Sequence, residues 1–168
     1  MSDPFDLAVI GSGPGGYRAA VLGALRGLNV AIVERADWGG CCLNRGCVPK
    51  KDWYHSARLV AAQRHFEARG LRGALSGDLA QAWRHQRGVV DRVRDSYRAY
   101  LKHLKVQAFG GHARFLEPEA IAVEGPDGIE HLRARHSIIA TGAAATVPSP
   151  FEPEDGRVLT TDMLLDHP

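Results

Sequence analysis

The sequence predicts an α/β fold: a parallel sheet packed with helices, with a long helical pair and a small β-meander inserted. Two short apolar runs, Leu7–Ile10 and Val30–Val33, flank a segment rich in Ala and Leu. That is the pattern of buried parallel strands joined through a helix. Glycines close the first run in the order Gly11-Ser12-Gly13-Pro14-Gly15-Gly16. Farther on, the apolar spacing changes to threes and fours between Asp52 and Leu104, then to short β-like runs from Val106 onward.

Leu7–Ile10 is the first strand, and the stretch from Tyr17 to Arg26 is a helix that Gly27 stops. Val30–Val33 is the second strand, closed by Glu34, and completes one β-α-β unit. The stretch from Asp52 to Arg69 reads as a helix with Trp53, Ala57, Val60 and Ala61 on one face, ended by Gly70 and Gly73. Asp78 caps a second helix that reaches about Leu104. Its apolar series is Leu79, Trp83, Val90, Val93, Tyr97, Tyr100 and Leu104, interrupted by Gln86. Val106–Phe109, Ala113–Leu116, Ile121–Val123 and Ser137–Ala140 are β-like, separated by Pro118 and the turn Gly125-Pro126-Asp127-Gly128. The proline-bearing tail from Val147 is a connector with a helical turn after Thr161.

A chain of 168 residues is one domain's worth by the usual ~100–200 residues per domain. Its 45% hydrophobic and 24% charged residues suit an ordinary globular protein. No apolar run approaches the ~20 residues of a membrane helix, so no membrane partner is expected. The start lacks a basic stretch and a long apolar stretch, which argues against a signal peptide and for a cytoplasmic setting. A net charge of +2 is too mild to imply nucleic acid. The basic residues of the second long helix, Arg84 to Lys102, are interleaved with Asp91 and Asp95 and read as a solvated face.

The glycine motif carries chemistry because of where it sits. Gly11 allows a tight turn after a strand, Gly13 lets backbone approach a pyrophosphate, and Gly16 lets helix pack closely on strand. The helix N-terminus offers free N–H groups to phosphates. Glu34, at the end of the second strand, is placed to accept bonds from a ribose 2′-OH. The motif therefore points to a dinucleotide with an unphosphorylated adenosine ribose, NAD or FAD.

All three cysteines fall within one short segment, Gly39-Gly40-Cys41-Cys42-Leu43-Asn44-Arg45-Gly46-Cys47-Val48-Pro49-Lys50-Lys51. Such clustering suggests redox or metal chemistry rather than a secreted scaffold. Zinc wants four ligands in paired arrangements, and His55 is the only histidine nearby, so no metal site is expected.

This segment resembles the signature of the flavoprotein disulfide reductases: dihydrolipoyl dehydrogenase, glutathione reductase and mercuric reductase. Cys41 stands at the variable position usually held by Thr. The glycine motif with Tyr17 is most similar to dihydrolipoyl dehydrogenase, whereas Val48-Pro49-Lys50-Lys51 is more similar to glutathione reductase. Ile139-Ala140-Thr141-Gly142 resembles the family's A-T-G motif beside the flavin nucleotide.

The resemblance implies FAD as cofactor, a Rossmann-like FAD-binding domain, and Cys42–Cys47 as the catalytic redox pair, with Cys47 facing the flavin and Cys42 exchanging with substrate. It implies cofactor contacts from Gly11, Ser12, Gly13, Pro14, Gly15, Gly16, Glu34, Arg35, Gly40, Cys41, Ala113, Ala140, Thr141 and Gly142. One lysine, Lys50 or Lys51, is implied near the flavin. Cys41 is read as a small apolar filler, the alternative being a third thiol that scrambles the pair. NAD(P) serves only in a complete enzyme, whose partner is a lipoyl group or another thiol or disulfide, in a homodimeric family.

Residues 1–146 are read as the N-terminal segment of the FAD-binding domain, with a helical excursion at about 52–104 and a β-meander at about 106–136. Residues 147–168 are read as a connector toward an NAD(P) domain that this sequence does not include. No second glycine fingerprint appears downstream. The family's G-D motif and its C-terminal His-Glu dyad have no counterpart, and the spacing of His112 and Glu117 reads as chance. Two alternatives stand beside a reductase segment: a non-catalytic flavin-binding module, and a small thiol-disulfide protein that needs no flavin.

Overall fold

The computed structural model describes residues 3–151 and 158–166. The first strand, β1 (Phe5–Ile10), is followed by helix α1 (Pro14–Leu25) and strand β2 (Val30–Glu34). Pro14 opens α1, where its missing N–H leaves no helical bond unmade. Gly27, at φ +83°, supplies the left-handed residue that ends the helix. Next come α2 (Gly40–Arg45), α3 (Cys47–Ala62) and two short 3₁₀ turns that end at Gly70. Helix α4 (Leu79–His103) is capped as the sequence predicts: the Gln81 amide donates to Asp78 Oδ1 at 2.9 Å. The remaining elements are β3 (Gln107–Gly110), β4 (His112–Glu117), β5 (Ala120–Gly125), β6 (Gly128–Ile139) and α5 (Thr161–Asp166).

Among the described residues the six strands form one sheet in the order β3-β2-β1-β6-β5-β4. The first four neighbours run parallel, and β6-β5-β4 form the antiparallel meander. The structure corrects the sequence reading at two points. The run Val106–Phe109 belongs not to the meander but to the parallel edge, where Ile32 faces Ala108. It comes directly after a helix, and a helical crossover is what a parallel neighbour requires. The last strand is three times longer than its apolar end suggested. Its first half pairs with β5 and its second half with β1, from Phe5↔Ala134 to Ile10↔Ile139. Exposed Arg133 and Arg135 alternate with buried Leu132 and Ala134 along it, as a strand with one covered face requires.

Alternation along β1 divides the core. Ala8 and Ile10 join Val33, Ile121 and Val123 in one cluster. Leu7 and Val9 join Ala20, Val21, Ile32, Leu101 and Val106 in another. The chain divides into two compact units. One holds the chain up to Cys42 together with Arg94–Ala144; the other holds Leu43–Val93 and the chain from Ala145 onward. Within the second unit the ring of His85 meets Asp52 Oδ2 at 3.0 Å. There the apolar face predicted for α3 is not a buried face: Ala57, Val60 and Ala61 are exposed and Trp53 is half-buried. On α4 the interrupting Gln86 is fully buried, while Leu79 is 70% exposed.

Candidate functional site

The carboxyl ends of β1, β2 and β6 meet at Gly11. Its φ of +101° turns the chain, and its amide donates to the Val33 carbonyl at 2.8 Å. The Ala140 amide donates to Ile10 O at 2.8 Å, so β6 closes against the same corner. A Cβ on Gly11 would strike the Ala140 carbonyl, and one on Gly16 would overlap the Gly11 carbonyl. Gly13 differs. Its φ is an ordinary −61°, and a Cβ there would meet nothing nearer than Gly40 Cα at 3.9 Å. Gly40 itself has φ +62° and leaves no room for a side chain beside Gly13.

Helix α1 begins without a side-chain cap. Its first intrahelical bond runs from the Tyr17 amide to Gly13 O at 2.8 Å, so the helical ladder gives no acceptor to the amides of Gly15 and Gly16. An anion at this end meets open donors and the positive end of the helix dipole.

Glu34 is held before any ligand arrives. One oxygen, Oε2, accepts from the Ser12 amide at 2.8 Å and the Ser12 hydroxyl at 2.7 Å. The other, Oε1, accepts from the Ala36 amide at 2.9 Å. Ser12 Oγ in turn accepts from the Gly39 amide at 3.0 Å, tying the β2–α2 loop to the glycine turn. A carboxylate has about four acceptor positions, so a further donor can be taken.

These groups border a cavity of about 610 Å3, within the range of small-molecule sites. Of the residues predicted from sequence, Gly11, Gly13, Pro14, Glu34, Arg35, Cys41, Cys42, Ala113, Ala140, Thr141 and Gly142 line it. Ser12, Gly15, Gly16 and Gly40 do not; Ser12, Gly16 and Gly40 shape the turn behind it. Lys50 and Lys51 are exposed on α3 and are not part of the lining. Cys42 and Cys47 are joined by a disulfide, and Cys42 is the member that lines the cavity. Cys41 is an exposed thiol on the cavity wall.

The sequence reading missed Ile10, Val33, Gly111, His112 and Ala143 in the lining. Ile10 and Val33 were findable, since ligands in such sheets lie at the carboxyl ends of strands. The Gly110-Gly111 pair was the signal for the other wall: the Gly111 amide donates to Glu34 O at 2.9 Å, and a Cβ on Gly111 would strike the Glu124 carbonyl. His112 lines the cavity from one end of β4, while Glu117 stands exposed at the other. Tyr17, just past the glycines, stacks on Tyr97 with ring centroids 4.1 Å apart. Burial pushes its hydroxyl above the usual tyrosine pKa; Tyr97 and Tyr100 add to this and Arg18 opposes it.

Residues 5–164 match the family described as pyridine nucleotide-disulphide oxidoreductase. A dihydrolipoyl dehydrogenase from Chlorobaculum tepidum is 38% identical over 163 residues, which is 96% of this chain and 35% of that protein. One from Thermus scotoductus is 44% identical over 141 residues, 83% of this chain and 29% of that protein. In fold, the chain is similar to the HOCl-induced flavoprotein disulfide reductase RclA from Escherichia coli, solved as its Cu(II) complex. The TM-score is 0.72 at 27% identity, over 88% of this chain and 31% of that one. The chain thus spans about a third of the length of the curated relatives it matches.

Proposed function

The chain belongs to the pyridine nucleotide-disulphide oxidoreductase family, and from that premise we propose that it holds the adenosine half of FAD and the redox disulfide of a dihydrolipoyl dehydrogenase-like enzyme. The observation that carries this is one cavity bordered by the Gly11–Gly13 turn, the Glu34 carboxylate, the Ala140–Gly142 segment and Cys42. The fit to the cofactor rests on Gly13: nothing in the fold forbids a side chain there, and its bare backbone faces the cavity. The open N-terminus of α1 beside Gly13 would hold the pyrophosphate, Glu34 would accept from the adenosine ribose, and the Gly111–Ala113 wall would take the adenine.

Bound FAD supplies a two-electron acceptor and donor. The chain's own part is thiol chemistry at Cys42 and Cys47. Two electrons entering the disulfide break its S–S bond and leave two sulfurs that each carry a proton or a negative charge. The Cys42 thiolate attacks one sulfur of a substrate disulfide, forms a mixed disulfide and releases the other sulfur as a thiol. The Cys47 thiolate then attacks Cys42, restores the bond and releases the second thiol. Run in reverse, the cycle oxidises a dithiol such as a dihydrolipoyl group. In a complete enzyme NAD(P) would serve as the electron donor or acceptor. Residues 1–146 serve as the FAD-binding segment and residues 147–168 as the connector toward the NAD(P) domain.

Ligand competition tests the reading. FAD added to the chain should lose fluorescence on binding, and ADP should displace it, because the contacts lie on the adenosine half. FMN, which lacks that half, should bind at least about tenfold more weakly, the equivalent of 1.4 kcal/mol. FMN binding as tightly as FAD, or ADP failing to compete, would overturn the proposal.

A further inference from the structure

A second cavity, about 360 Å3 in volume, lies within the first unit, and no residue of the glycine turn lines it. Its apolar lining comes from Leu101 and Val106, which are 2% and 6% exposed, and from half-buried Trp38. Ala99 of α4 and Ala108 of β3 also line it, and both are exposed. Their single methyl groups leave the space that a larger residue at either position would fill.

Arg98 and Lys102 complete the lining. Four residues apart on α4, they stand on the same side of the helix. Among the described residues neither cation forms an ion pair, and no Asp or Glu lines the cavity. Among the described residues Arg98 does not stack on Trp38 either. The slot thus combines an aromatic wall, an apolar floor and two positive charges with no anion between them. An inorganic anion would leave the apolar lining unused, and a neutral hydrocarbon would leave the cations unused.

We propose that this cavity binds a small aromatic carboxylate, its ring against Trp38 and its charge shared by Arg98 and Lys102. The site stands one residue from the cofactor turn, since Gly39, next to Trp38, donates to Ser12 Oγ at 3.0 Å. It is separate from the FAD cavity and does not depend on that reading.

The test uses the 168-residue chain, with 2-naphthoate as probe and 2-naphthalenemethanol as its neutral counterpart. The three tryptophans give three indole N–H resonances, and Trp38→Phe assigns the one that matters. Naphthoate should shift the Trp38 resonance saturably and leave those of Trp53 and Trp83 in place. The alcohol should bind at least about tenfold more weakly, the scale of one lost hydrogen bond to a charged group. Arg98→Glu with Lys102→Glu should weaken naphthoate by the same factor, and Ala108→Leu should abolish binding by filling the space. All three side chains are exposed, so an unchanged Tm verifies the fold of each variant. Equal affinity for acid and alcohol, binding that survives the charge reversal, or no saturable shift at Trp38 would overturn the proposal.

Discussion

Gly13 and Gly16 belong to one motif, yet the structure asks different things of them. An Ala Cβ at Gly16 would overlap the Gly11 carbonyl, so Gly16→Ala must push α1 off β1. It should cost about 3 kcal/mol or more of stability, the scale of severe overpacking, and thermal unfolding would register it. An Ala Cβ at Gly13 meets only Gly40 Cα, at 3.9 Å. Gly13→Ala should therefore cost no more than about 1 kcal/mol, the difference between Gly and Ala at a helix N-cap. The same variant should lose FAD affinity by at least about tenfold, or 1.4 kcal/mol, because its methyl enters the space the pyrophosphate needs. Equal losses of stability in the two variants would show that Gly13 serves the fold. Glu34 serves both: removing its carboxylate in Glu34→Ala strands the Ser12 and Ala36 donors. Both Tm and FAD affinity should fall, the latter by about 1–3 kcal/mol. The sequence showed that an acid ended the second strand. It did not show Ser12 as the hydroxyl that ties Glu34 to Gly39, because that bond joins residues remote in sequence and depends on the turn being formed.

Among the elements, those whose pattern reflects burial by near neighbours were legible. The β1-α1-β2 unit is one, because each piece packs on the next and its apolar runs are continuous. The Asp78 cap was legible too, since a cap is local chemistry. The strand β6 was not, because its two halves answer to different partners, β5 and then β1. The cavity wall at Gly111–His112 is set by β4 meeting the end of β2, which no local pattern encodes. Helix α1 also carries a pH-dependent element in Tyr17, stacked on Tyr97 of α4. In the folded state its pKa is raised, chiefly by burial. Below an unfolded-state value of about 10, both states keep the proton and the full contribution is present. As pH climbs past that value, the unfolded chain loses the proton first, so stability falls until the folded-state pKa is passed. Tyr17→Phe keeps the ring and removes the titration. Thermal melts from neutral pH to about 11 should show a smaller alkaline loss in Tyr17→Phe than in the parent. Parallel curves would mean that the alkaline loss comes from other groups.

On the scale of the whole molecule, cofactor capture and turnover place different demands on the chain. The cavity proposed for the adenosine half of FAD is built from neighbouring strand ends within one compact unit. Electron delivery from NADH or NADPH needs more. The nicotinamide must be held against the flavin, and such positioning supplies roughly 7–11 kcal/mol of barrier reduction. The sequence has one glycine fingerprint after one strand, and that fingerprint borders the cavity proposed for FAD. Whatever else the complete protein contains, the 168-residue chain should therefore bind FAD yet show no nicotinamide-dependent turnover. The assay pairs NADH or NADPH with lipoamide, oxidised glutathione or an artificial acceptor, with FAD added, and uses free FAD as the blank. In the same preparation the disulfide should remain chemically competent. Dithiothreitol should open the Cys42–Cys47 bond and air should restore it, and peptide mapping should return the 42–47 link rather than one through Cys41. Turnover well above the blank, abolished by Cys47→Ser, would show that this segment assembles a nicotinamide site by itself. Absent turnover with an intact, reversible disulfide would place the electron-delivery machinery outside these residues and the sulfur chemistry within them.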